Sequence, residues 1–329
     1  MLQYILRRVL LAIPTLLVIS IVSFILIQLP PGDFLSSYAA NLAATGEEVS
    51  GEQLAQLREA YGLDQPIYVQ YFKWMRGILH GDFGLSLEWR VPVEQLIWER
   101  MALTVALSGF TMIFTWLLAI PIGVYSATHQ YSPGDYVATF IGFVGLGVPS
   151  FMIALVLMWI AYAWFGFDVG GLFSPQFKDA AWSWAKVLDL LKHIWIPAII
   201  LGMGGTAGLI RTMRANTLDE LHKPYVITAQ AKGLKKNRLV WKYPVRVALN
   251  PFVSGVGSAL PNLISGGTIV GVVLSLPTAG PLFLRALQSQ DMYLAGAFIL
   301  LLSTLTVVGT LISDILLAWL DPRIRFGGQ

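Results

Sequence analysis

Only 12% of this 329-residue chain is charged, against roughly 25% in an ordinary soluble domain. A soluble core needs a polar shell, and so few charges cannot build one around a composition that is 56% hydrophobic. The apolar surface is therefore expected to face a bilayer. Cysteine is absent, which excludes disulfide frameworks, thiolate metal sites and cysteine nucleophiles. The four histidines, His80, His129, His193 and His222, are scattered along the chain. They are expected in loops or at span ends, and no metal site is expected. No G-x-x-x-x-G-K-[ST] occurs, so the chain cannot cradle nucleotide phosphates in the P-loop manner. H-E-x-x-H and G-x-S-x-G are missing too, which argues against an intramembrane hydrolase. The net charge of +3 is better explained by basic loops at one membrane face than by a nucleic-acid partner.

About twenty mostly apolar residues are needed to cross the hydrocarbon layer. Six stretches qualify, at 9–29, 101–128, 137–164, 194–210, 252–276 and 293–320. Pro14, Pro121, Pro149, Pro197 and Pro261 fall inside them, and membrane helices tolerate such breaks because neighbours satisfy the freed backbone groups. The basic start could pass for a signal peptide. Its apolar run is about twenty residues long and gives way to Leu29-Pro30-Pro31-Gly32, not to a small-x-small site, so a retained first span is expected. Arg7 and Arg8 precede the first span, and Arg323 and Arg325 follow the last. Between spans four and five crowd Arg211, Arg214, Lys223, Lys232, Lys235, Lys236, Arg238, Lys242 and Arg246. The loop 30–99 on the opposite side is richer in acids. The positive-inside rule then puts both termini and the basic loop in the cytoplasm. Within 30–99, residues 52–61 have a helical amphipathic rhythm, a second short helix is expected at 69–80, and Gly81-Asp82-Phe83-Gly84 reads as a turn.

The basic loop is the most informative segment. Pro224 is suited to open a short helix. Tyr225, Thr228, Ala229 and Ala231 offer flat or small contact surface, and Gly233 is suited to end the helix in the left-handed cap conformation. Lys235, Lys236 and Arg238 follow. Such a helix can dock into a partner's cleft or rest on anionic headgroups, and spacing alone does not separate the two.

Thr228, Ala229, Ala231, Lys232, Gly233 and Leu234 match the T-A-x-A-K-G-L form of the coupling motif in ABC importer permeases. The order of further motifs extends the likeness along essentially the whole chain. Arg214 and Leu218 lie upstream of that motif, and Lys242, Arg246, Ala248 and Pro251 downstream. The start carries Tyr4-Ile-x-Arg7-Arg8, Ile13-Pro14-Thr15 and Pro31-Gly32-Asp33. The outer loop carries Tyr61-Gly-Leu-Asp64, Pro66, Gln70-Tyr71 and Gly81-Asp82-Phe83-Gly84, and the end carries Asp314 and Asp321-Pro-Arg-Ile-Arg325. The chain thus resembles the B-type permease subunit of the dipeptide/oligopeptide/nickel family of ABC importers. The resemblance implies an all-α integral membrane protein of the inner membrane, with six transmembrane helices in the type I importer permease fold. Residues 1–100 would form the first span plus a small extracytoplasmic subdomain. Residues 101–320 would form a five-helix core with a coupling helix near 224–236, and 321–329 a cytoplasmic tail. Tyr225, Thr228, Ala229, Ala231, Lys232, Gly233 and Leu234 would couple to ATPase subunits. The implied partners are a second related permease, two ATPases, an extracytoplasmic solute-binding protein and membrane lipid. ATP and Mg would be bound by the ATPases and no cofactor by this chain, which is then not itself an enzyme.

Span five departs from the family pattern. Gly271 stands where an acid is usual, and Ser275 and Thr278 replace two glycines of the turn that follows. A path with fewer charges suits a neutral cargo, so oligopeptide and oligosaccharide are both carried as expectations. Ser258, Asn262, Ser265 and Gly271 are candidate path residues, although Asn262 is also suited to bonding a neighbouring helix. The glycines 204, 205, 208, 267 and 271 read as close helix packing. Asp314 is expected to pair structurally with Arg214 or Arg211. Trp182 and Trp184 can stack on sugar rings or anchor at the interface. An ion-coupled secondary transporter is the competing class. It predicts mid-membrane ionisable residues and repeated halves, and both are wanting here. A non-transporting scaffold or receptor would need no ATPase.

Overall fold

The computed structural model describes residues 2–28, 35, 51–62, 64–166 and 169–320. The motifs at 31–33 and 321–325 lie outside that set, as do the side chains of Arg7, Arg8, Ser258 and Ser265. The described elements are helical apart from a single bridge between Leu85 and Pro92. In chain order they are α1 (Leu2–Gln28), α2 (Gly51–Tyr61), α3 (Ile67–Leu79), α4 (Val93–Thr128), α5 (Pro133–Gly147), α6 (Ser150–Phe165), α7 (Trp184–His193) and α8 (Trp195–Leu221). There follow α9 (Pro224–Ala231), α10 (Lys236–Lys242), α11 (Pro244–Ala248), α12 (Asn250–Ser254), α13 (Val256–Val273), α14 (Ala279–Gln288) and α15 (Met292–Leu320).

Among the described residues, three helices are long and apolar enough to cross a membrane: α4, α8, and α15 over Met292–Leu317. Within α1 the apolar stretch is Val9–Ile25. The expected single span at 137–164 is instead two helices, α5 and α6, bent by 102°. The cause is local. Pro149 disfavours the helical region for the residue before it, and Val148 sits at φ −100°, ψ 126°. The expected span at 252–276 falls on α12 and α13, which meet at Gly255 with helical backbone angles, φ −73° and ψ −13°. α8 runs eleven residues past its expected end at 210, carrying Arg211 and Arg214 on the helix itself rather than in a loop.

The chain divides into two compact units. One takes in Thr104–Pro277 with Met1–Leu6 and the segment from Thr306 onward; the other combines Arg7–Leu103 with Thr278–Leu305. In the second unit, Phe83, Val93 and Ile97 pack with Ala286, Leu294 and Phe298. A contiguous boundary at residue 100 does not express that pairing across the sequence. Asp291 ties it together. Its carboxylate, 0% exposed as a residue, accepts the Ser86 hydroxyl at 2.5 Å and the backbone N–H groups of Glu88 and Leu294. Burial pushes its carboxyl above the usual range despite those bonds. The turn at 81–84 forms as expected, with Gly81 and Gly84 at positive φ and the Gly84 N–H bonded to the Asp82 carboxylate. α3 begins two residues before its expected start and buries Trp74 against Phe24 of α1.

In the first unit, Gly257 of α13 and Gly309 of α15 let their helices meet closely. A Cβ on Gly257 would lie 2.8 Å from the Thr310 Cα. Gly205 and Gly208, expected to pack closely, have nothing within 4 Å of a Cβ position. The close-packing positions were thus only partly those of the glycine stripe.

Candidate functional site

Two features of the first unit bear on the expected sites. The first is α9. Its N-terminus is opened by Pro224 at N1. Its C-terminus is a Schellman cap: Gly233 is at φ +79°, the Gly233 N–H reaches the Gln230 carbonyl at 2.9 Å, and the Leu234 N–H points to the Ala229 carbonyl at 3.4 Å. Leu234 then folds back on Val226, Ala229 and Leu239, the hydrophobic contact that accompanies this cap. The Tyr225 hydroxyl donates to the Glu220 carboxylate at the end of α8. Burial, together with that bond and the nearby negative charge, pushes the phenol up to about 12. Thr228 closes onto the Pro224 carbonyl.

The structure sorts the expected contact residues. Tyr225, Thr228, Ala231, Lys232 and Gly233 are exposed, and Leu234 is half-buried. Ala229 faces inward and is buried against α10, where its small size lets the helices approach. Ile227, which sequence reasoning missed, is 57% exposed and supplies the apolar centre of the outer face. Its signal was available: three positions separate it from Pro224 and four from Ala231, one helical stripe.

The second feature is a cavity of about 450 Å³ among α4, α6, α8, α12 and α13. Ser108, Thr111 and Thr115 of α4 line it, with Ser150, Asn262, Gly202, Gly204, Gly205 and Gly267. None of the described lining residues is charged. Asn262 is therefore placed on the cavity wall. Gly271 is not among the lining residues; it is buried, and its carbonyl accepts the Leu276 N–H at 2.8 Å. The α4 hydroxyls were not foreseen, although their spacing of three and four residues marks a polar stripe on an apolar helix.

The expected ion pair needs correcting. Arg214 is held by Asp135 in the first turn of α5, rather than by Asp314. A guanidinium fork matches both oxygens of one carboxylate, and Asp135 presents both. Asp314 keeps other company. Trp182 meets Phe173 edge-on with the Lys186 ammonium over both rings, so its stacking faces are partly used internally. Trp184 is 82% exposed. Among the described residues no cluster of His, Asp or Glu could hold a metal ion.

Apolar helices long enough to cross a membrane, an exposed capped helix in a basic loop and a cavity with no charge in its described lining fit an integral membrane permease subunit. A family model described as binding-protein-dependent transport system inner membrane component matches residues 119–326, and its N-terminal companion matches 1–108. The chain belongs to that family, as a permease subunit of the dipeptide/oligopeptide/nickel ABC importers, and is a multi-pass inner-membrane protein. It is 36% identical to the oligopeptide transport system permease protein AppB of Bacillus subtilis, over 99% of this chain and 100% of the relative. It is 34% identical to the dipeptide transport system permease protein DppB of Alkalihalophilus pseudofirmus, again over 99% and 100%. Against DppB of Escherichia coli K12 the identity is 32%, over 99% of both chains.

Proposed function

We propose that this chain is one of two permease subunits of an ATP-driven peptide importer. The observation that carries the cargo is full-length similarity to permeases named for oligopeptides and dipeptides; nothing comparable supports an oligosaccharide. In this reading the chain crosses the membrane six times with both termini in the cytoplasm, the bent pair α5–α6 serving as one passage. A solute-binding protein delivers peptide from outside. α9 docks on a cytoplasmic ATPase through Tyr225, Ile227, Thr228 and Ala231, with Gly233 fixing its end. ATP, held by the ATPases with Mg, favours one conformation of the assembly and so shifts the equilibrium between inward- and outward-facing paths. The uncharged wall of the cavity argues against the ion-coupled alternative, which needs ionisable groups on the route. Reconstitution of the complex with its binding protein tests the reading: ATP-dependent accumulation of labelled di- and oligopeptides is expected. Uptake of oligosaccharides in their place, or uptake without ATP, would overturn it. A reporter fused after Gln329 that proved external would overturn the topology.

A further inference from the structure

α7 is inside out for a helix in water. Trp184, Leu188 and Leu191 of α7 and Trp195 at the start of α8 are spaced four, three and four residues apart, which puts them on one stripe. They are 82%, 57%, 52% and 49% exposed. The opposite face carries charge: Lys186 and Asp189 are buried there beside Leu190 and Ile194. A surface helix in water does the reverse, turning its apolar stripe to the core and its charges outward.

Bonds to the preceding loop fix that rotation. The Asp189 carboxylate accepts the Ser174 hydroxyl and the Ser174 N–H, each at 2.7 Å. The Lys186 ammonium donates to the Ala180 carbonyl at 2.7 Å and lies over the Phe173 and Trp182 rings. Rolling α7 to hide its stripe would break these bonds to charged groups, which are the stronger ones. The stripe must therefore find its cover outside the chain.

The cover that fits is lipid. Ile194 has helical backbone angles, so the stripe runs on into α8, a helix long and apolar enough to cross a membrane. Among the described residues nothing between α6 and α8 is long enough to cross, so the end of α6 and the start of α8 meet the same membrane face. Trp159, Trp164, Trp182, Trp184 and Trp195, five of the chain's eleven tryptophans, gather at that face. Tryptophan collects where hydrocarbon meets headgroups, and Lys192, exposed next to the stripe, suits the phosphates there. A solute-binding protein comes and goes, and a face kept for it would stand in water between visits. A stripe of two tryptophans and two leucines suits permanent cover.

The inward face of α7 leads to the cavity. Three residues before Ser174, the Gly171 N–H donates to the Leu274 carbonyl at 2.6 Å, at the C-terminal cap of α13. Leu172 and Phe173 between them are buried. Contacts thus run from the stripe through Asp189 and 171–174 to a helix that lines the cavity. We infer that α7 is embedded in the membrane surface through Trp184, Leu188, Leu191 and Trp195, and that this lipid contact steadies the C-terminal end of α13. The inference depends neither on the cargo nor on which face is cytoplasmic.

A benzophenone amino acid placed singly at Leu188 or Leu191 tests it, in the full importer reconstituted with a single phospholipid species. Gln176, exposed in the loop, is the control position. After irradiation, intact mass of this subunit reads the product. Phospholipid adducts at 188 and 191, several-fold more frequent than at 176, are expected. A cross-link to the second permease or to the binding protein in their place, or adducts no more frequent than at 176, overturns the embedding and the steadying role with it. Hydrogen exchange tests the link to α13. Leu188→Glu should speed exchange at the Gly171 and Ser174 amides several-fold, and Leu188→Phe should leave both slow. Unchanged exchange at both amides in the Glu variant overturns the steadying role alone.

Discussion

Arg214 grips Asp135 with two hydrogen bonds, Nε to Oδ1 at 3.1 Å and Nη2 to Oδ2 at 3.0 Å. The carboxylate is 6% exposed and also accepts the backbone N–H of Tyr131. The Ser132 hydroxyl accepts the Asp135 N–H at the same helix start, so one carboxylate finishes the N-terminus of α5 and anchors it to α8. Removing only the cation would strand a buried charge, which costs on the order of 3 kcal/mol. Arg214→Ala should therefore lower the thermal unfolding midpoint of the purified complex sharply. Arg214→Lys should fall between, because an ammonium cannot reproduce the fork. Equal midpoints for the Lys variant and the parent would show that the bidentate geometry contributes nothing.

The terminus of α9 depends on backbone conformation and not on space. Gly233 is at φ +79° with nothing within 4 Å of a Cβ position. An L-residue in that region costs roughly 1–2 kcal/mol, and Asn bears it best. Gly233→Asn should keep substantial transport, while Gly233→Val should abolish it with the subunit still in the membrane and ATPase activity no longer stimulated by loaded binding protein. Uptake assays on membranes matched for subunit amount decide this. Normal uptake by the Val variant would remove α9 from the coupling role.

Features with a local cause were legible in the sequence. Pro224 and Gly233 bracket α9 because each residue has its own backbone preference, and the turn at 81–84 follows from its two glycines and an aspartate. The long apolar stretches announced α4, α8 and α15 in the same way. What was not legible depends on partners distant in the chain. Nothing near Arg214 in sequence says that Asp135 and not Asp314 will meet it. The packing of 83–103 with 279–298 is equally silent, since each stretch alone reads as ordinary apolar sequence. The bend at Pro149 lies between the two cases. The proline was visible, but apolar length argued for one straight span, and only the fold shows which prevailed.

α13 also ends in a Schellman cap, with the Ser275 N–H on the Val272 carbonyl and the Leu276 N–H on that of Gly271. Its left-handed position is held by Ser275, at φ +52°, where glycine would sit without strain. Ser275→Gly should stabilise the protein by about 1 kcal/mol and raise the thermal midpoint by about 2–4 °C. A lowered midpoint would mean that the serine side chain makes a contribution larger than the strain it causes.

Asp189 offers a pH test away from the spans. Burial alone would push its carboxyl up, but the Ser174 hydroxyl and backbone N–H, both at 2.7 Å, outweigh it, helped by the Lys192 ammonium, and the carboxyl lies below the usual range. A folded pKa below the unfolded value of about 3.9 means that the ionised form stabilises the fold. That contribution is complete above about pH 4 and is lost as pH falls through the folded value. Hydrogen exchange at the Ser174 amide, corrected for intrinsic rate, should show protection that holds steady from pH 7 down to about 4 and then declines. Asp189→Asn should start with about tenfold less protection at pH 7 and show no such decline. Protection that rises on acidification would reverse the sign of the linkage and mean that burial, not the Ser174 bonds, governs this carboxyl.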